Sequence, residues 1–238
     1  MSHCNLPRIT HPVRKGATAI DAQTEKLRQK PARISYQKFR ETAVANRCCG
    51  ATIGEISERV IALARCEVKG TSPAAALEDV LSAIDGLPVH GLWHHSVPGE
   101  LLLLCLRNAG YPIAEELIDE VVERGRLTPP GACGFLGPCG ALVSAASAYA
   151  VLLGSTPVAF DRRERLLQFH ARVAARLAEL GGNRCCKKST YTALDLAQEE
   201  FAKLGYTLPR EEFAGRCRFF PDNETCDGPE CVYFPRKS

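Results

Sequence analysis

The chain has 238 residues, 45% of them hydrophobic and 24% charged, with a formal net charge of +3. Such a mixture suits a globular protein with a sizeable core and excludes a disordered chain, a collagen-like repeat and a coiled coil. No continuous apolar helix is long enough to cross a bilayer, and no apolar stretch follows the basic amino terminus as in a secretory signal. A cytoplasmic protein without membrane segments is expected.

The abnormal number is twelve cysteines. A secreted disulfide scaffold would need an export signal and is usually much smaller. The thiols therefore point to metal, iron–sulfur or sulfur-transfer chemistry, with disulfides and inert or redox-buffering thiols as the alternatives.

In chain order, the first 49 residues read as a basic leader, partly disordered or helical. Residues 1–40 carry nine Lys and Arg against two acids. Lacking interleaved aromatics and zinc-finger spacing, this arm reads as solvated, and nucleic acid is not an expected partner. Cys48, Cys49 and Cys66 suggest a remnant of a zinc-ribbon-like element. Cys4 is read as incidental.

Residues 50–207 read as one all-α, multi-helix globular domain. Apolar positions at three- and four-residue steps predict helices over 54–68, 72–84, 98–109, 113–126, 139–153, 161–180 and 189–204. Ser72-Pro73 and Val97-Pro98 mark helix starts, and Gly110, Gly125, Gly154, Gly181 and Gly205 mark ends. No segment alternates as a strand would. A cysteine-rich tail, residues 208–238, follows.

Three stretches carry chemistry. His90, His94 and His95 flank Trp93 just before a helix, in a segment read as a loop. Histidine suits proton transfer near neutral pH or metal ligation. Cys105, within the leucine run that follows, reads as a buried hydrophobe. Cys133 and Cys139 sit in a loop of glycines and prolines that opens a helix. There glycine lets backbone N–H groups approach a bulky inorganic centre, and the helix amino terminus favours a thiolate.

The run Arg184-Cys185-Cys186-Lys187-Lys188 repeats that logic, with three cations beside two thiols. Adjacent residues point in different directions, so one thiol serves as a ligand and the other as a nucleophile or sulfur carrier, in an order that spacing leaves open. Cys217, Cys226 and Cys231 of the tail suit zinc or a second cluster, with a fourth ligand from Cys48, Cys49 or Cys66. Their spacing matches neither a zinc ribbon nor a ferredoxin run.

The blocks VHGLWHHSVPGELLL, CGFLGPCGALVSAASAYAVLLGSTP and GGNRCCKKS, in this order, resemble a domain-of-unknown-function family. It is met mainly in anaerobic bacteria and methanogenic archaea, sometimes beside or fused to methyltransferase modules. The resemblance spans roughly residues 90–207, with a similar tail, and implies an anaerobic setting that favours oxygen-sensitive clusters.

The expected function is an iron–sulfur protein, with Cys133, Cys139 and Cys185 or Cys186 holding a [4Fe–4S] cubane whose fourth iron is open to substrate. His94 or His95 would act as acid or base. Arg184, Lys187 and Lys188 would receive a small anionic or sulfur-containing substrate in lyase, desulfidation or sulfur-transfer chemistry, and Cys186 would carry sulfur if Cys185 is the ligand. The alternatives are a metal or cluster carrier, a partner subunit of a methyltransferase or radical enzyme, and a structural zinc protein. Nucleotide-binding, serine hydrolase and HExxH zinc signatures are absent.

Overall fold

Helix follows periodicity and caps through most of the chain. In this computed structural model, which describes residues 35–48, 50–210 and 213–236, nine helices are seen among the described residues. They are α1 (Tyr36–Ala45), α2 (Ile53–Glu67), α3 (Pro73–Ser82), α4 (Val97–Asn108), α5 (Glu115–Arg126), α6 (Ala132–Phe135), α7 (Gly140–Leu153), α8 (Phe160–Leu180) and α9 (Cys186–Ala202). Short 3₁₀ turns form at Trp93–His95 and Gly228–Glu230.

Their starts have local causes. Thr52 and Glu55 close a capping box on α2, each side chain taking the other's backbone N–H. Ser72 accepts from the Ala75 N–H, with Pro73 at the first helical position of α3. Gly154 ends α7 in the left-handed region, at φ 63°.

Helix α7 is the centre. It is apolar nearly all round, is buried over most of its length, and packs against α4, α5, α8 and α9. Small residues let its neighbours come close. The Gly99 N–H donates to Ser144 Oγ at 2.9 Å, and a Cβ on Gly99 would lie 2.4 Å from the Ser144 carbonyl oxygen. The same hydroxyl donates to the Ser96 carbonyl at 2.8 Å, and the Ser96 hydroxyl donates to that of Val122 at 3.0 Å. This buried, satisfied chain pins the histidine segment to α5 and α7.

Two expectations need correction. The chain does hold a sheet, an antiparallel pair of two-residue strands, β1 (Arg47–Cys48) and β2 (Ala51–Thr52). Two residues are too few to show alternation. The histidine segment is a 3₁₀ turn running almost directly into α4 rather than an irregular loop. The chain divides at Ser35/Tyr36, and the second unit, Tyr36–Ser238, includes both α1 and the tail. Tyr36 of α1 stacks on Phe135 and Phe39 meets the same ring at a tilt, which ties the end of the expected leader to the body. The leader before residue 35 lies outside the described residues.

Glu100 of α4 is fully buried, accepts from Arg65 Nε at 3.0 Å, and has no partner for Oε2. Burial outweighs the Arg65 charge and pushes its pKa up to about 7. The folded state thus binds this proton more tightly than the unfolded state, so stability falls as pH rises from about 4.5 to about 7. Glu100→Gln should match the wild type near pH 4 and exceed it by about 3 kcal/mol at pH 8, in urea titrations at both values. An unchanged difference between the two pH values would contradict this account.

Candidate functional site

Three segments far apart in sequence converge. His94, Cys133, Cys139, Cys185 and Cys186 all line one open cavity of about 600 Å³, which lies between the 133–139 turn, α8 and the start of α9. A cavity of that size holds a small molecule or an inorganic centre.

Cys139 is the N-cap of α7. Burial works against its thiolate, but the neighbouring donors His94, Ser189 and the Ala141 N–H, with the His94 charge, outweigh burial and hold the pKa below the ordinary thiol value. Cys133 sits in α6, and burial, with the Cys139 thiol beside it, pushes its pKa up against the pull of Arg184. The sulfur of Cys186 lies 3.7 Å from His90 Nδ1.

The histidines divide by environment. His94 Nδ1 meets the Gly91 carbonyl oxygen, which can only accept, so Nδ1 carries a hydrogen and Nε2 is the nitrogen left to exchange a proton. His95 Nδ1 pairs with the Thr128 carbonyl at 2.9 Å. Burial, with help from the His94 charge, drives its pKa down to about 3, so His95 stays neutral at physiological pH. Its ring occupies the space a Gly140 side chain would need, since a Cβ there would lie 1.9 Å from His95 Cδ2. His95 is therefore a positioning residue for the α7 start, and proton transfer in the cavity falls to His94.

The three expected anion-binding cations also separate. Arg184 is exposed and lines the cavity. Lys187 is 2% exposed and turns away, donating to the Pro88 and Val89 carbonyls and lying over the Trp93 and Phe219 rings. Lys188 pairs with Asp227 of the tail at 2.8 Å and donates to the Gly181 carbonyl at 2.6 Å. Sequence adjacency to a thiol does not tell where a side chain on a helix's first turn will point.

Cys185 faces both ways. Besides the central cavity it lines a much smaller pocket with Cys217, Cys226 and Cys231. It is thus the fourth thiol beside the tail, in place of Cys48 or Cys66. Cys48 lies 3.7 Å from the Gly86 carbonyl, and Cys66 is exposed near the end of α2. Cys49 lies outside the described residues. Cys105 is fully buried in α4, its pKa pushed up to about 12 by burial, as a packing thiol should be.

Three contributors escaped sequence reading. Ser189 acts on Cys139 from one turn into α9, and His170 lines the cavity from α8. Asp227 accepts from the Asn183 N–H at 2.8 Å as well as from Lys188, so the tail clamps the glycine turn before Cys185. A Cβ on Gly182 would lie 2.3 Å from Asp227, and its φ of 71° favours glycine as well. Nothing local in the sequence pairs residues some forty positions apart.

Among the described residues, no three His, Cys, Asp or Glu side chains are gathered round a point where one metal ion would sit. No helix among them is long and apolar enough to cross a membrane. No curated protein and no solved structure matches the chain. One family model does, over residues 61–234, which takes in the histidine segment, both thiol loops and the tail cysteines. With most of its length matched, the chain belongs to DUF5714, a family of unknown function.

Proposed function

We propose that Cys133, Cys139 and Cys186 hold an iron–sulfur cluster, a [4Fe–4S] cubane with one iron left open, in a cytoplasmic protein of anaerobic metabolism. The observation that carries this reading is the convergence of these thiols and His94 on one cavity of about 600 Å³. The donor set is soft, as a cluster requires. In a cluster each thiolate binds its own iron, so the sulfurs need not crowd round one point as they do for a single ion. When bound, such a centre offers a Lewis-acid position at the open iron.

The chain's own residues supply the rest. Arg184 at the mouth attracts a small anionic or sulfur-containing substrate, and His94 gives or takes a proton at Nε2. The glycines of the 133–140 turn let backbone approach the centre. Lyase, desulfidation and sulfur-transfer reactions fit this equipment.

A second reading has a specific observation behind it. His94 and Cys139 line the same cavity, and the imidazole and the helix amino terminus both favour the Cys139 thiolate, as a nucleophilic cysteine needs. The two readings separate by mapping iodoacetamide labelling in anaerobic full-length protein. On the cluster reading Cys133, Cys139 and Cys186 are all protected as purified and all become reactive after the iron is chelated. Fast labelling of Cys139 as purified, with an apparent pKa below the ordinary thiol value, would replace the cluster by a thiol nucleophile.

A further inference from the structure

The small pocket beside the tail has features that the central cavity does not explain. Its volume is about 20 Å³, against about 600 Å³ for the central cavity. That is room for one ion or water and too little for an inorganic cluster. Cys185, Cys217, Cys226 and Cys231 all line it.

Two of these sulfurs accept a backbone N–H within their own turn, Cys185 from Lys188 at 3.5 Å and Cys226 from Gly228 at 3.4 Å. Such bonds fix where a sulfur points, as a metal-ligating thiol requires.

A second observation is independent of the thiols. Lys188, which borders the same pocket, pairs with Asp227 at 2.8 Å, and Asp227 also accepts from the Asn183 N–H at 2.8 Å, so the tail is already fastened to the turn before Cys185.

We infer that Cys185, Cys217, Cys226 and Cys231 form a tetrathiolate site for a single soft divalent cation, zinc, which ties the tail to the start of α9. The vicinal pair is thereby divided, Cys185 to zinc and Cys186 to the central cavity. The sulfurs border the pocket without yet meeting, and loading draws the tail turns inward with release of the thiol protons. The loading step changes no oxidation state. This inference stands without the cluster, since it uses none of Cys133, Cys139 and His94.

Cobalt(II) serves as the spectroscopic probe, because tetrahedral cobalt–thiolate sites have intense visible bands. The titration uses the full chain carrying Cys133→Ser and Cys139→Ser, so that central thiols contribute nothing. A single cobalt per chain with tetrahedral tetrathiolate bands, displaced by zinc, is expected. Adding Cys186→Ser should leave those bands intact. Adding Cys217→Ser or Cys226→Ser, which lie in the tail outside the helices, should abolish them while the far-ultraviolet helical signal persists. Absence of the bands in the parent, or their survival in both tail variants, would overturn the site. Either result would leave the cluster reading untouched.

Discussion

Cys186→Ala is expected to strip the protein of iron and sulfide, while Cys185→Ala keeps both and loses zinc instead. Two adjacent residues rarely give opposite phenotypes, so the pair tests the division of the site at one peptide bond. The basis is position. Both residues border the cavity that holds Cys133 and Cys139, but the Cys186 sulfur lies beside His90 and only Cys185 also lines the tail pocket. Losing a partner behind a metal ligand already costs about 10–100-fold in affinity, and losing a ligand costs at least that. Iron in Cys186→Ala should thus fall by about tenfold or more in elemental analysis of anaerobic protein. Equal losses in the two variants would mean that the thiols share one centre.

Gly140→Ala should be among the most damaging single-methyl additions in the chain. A Cβ there would lie 1.9 Å from His95 Cδ2 and 2.5 Å from Nε2, far inside van der Waals contact. The ring cannot easily yield, since Nδ1 is held by the Thr128 carbonyl and the side chain is buried. Overpacking of this kind costs about 3 kcal/mol, at the upper end of the usual range. For a chain of this size that lowers Tm by roughly 6–12 °C. Because Gly140 follows Cys139, the same change also displaces the activated thiol. Trimming the ring should give back part of the loss, so Gly140→Ala with His95→Ala should be less destabilised than the two single effects summed. Strict additivity would show that the clash lies elsewhere.

Much of the fold was legible because helices advertise themselves locally. The Ser72-Pro73 start, the uncharged sweep of α7 and the glycine at 154 are local signals, and each fell where expected. The thiol loops were legible for the same reason, as clusters of glycine and cysteine before a helix. What was not legible depends on contacts between distant segments. Lys187 and Lys188 read as substrate cations beside two thiols, yet one is sandwiched between aromatic rings and the other is paired with Asp227. His95 read as an acid or base, and only its burial against Gly140 shows that it stays neutral. The fourth thiol of the tail was sought among Cys48, Cys49 and Cys66, although Cys185 is the one that folding brings there.

The central claim is most directly tested on full-length protein purified without oxygen, by measuring iron, acid-labile sulfide and zinc per chain beside a visible spectrum. A cluster on Cys133, Cys139 and Cys186 predicts iron matched by sulfide, a broad thiolate-to-iron charge-transfer band, and a single zinc. A colourless protein holding zinc alone would contradict it and leave Cys139 and His94 as a thiol–imidazole pair.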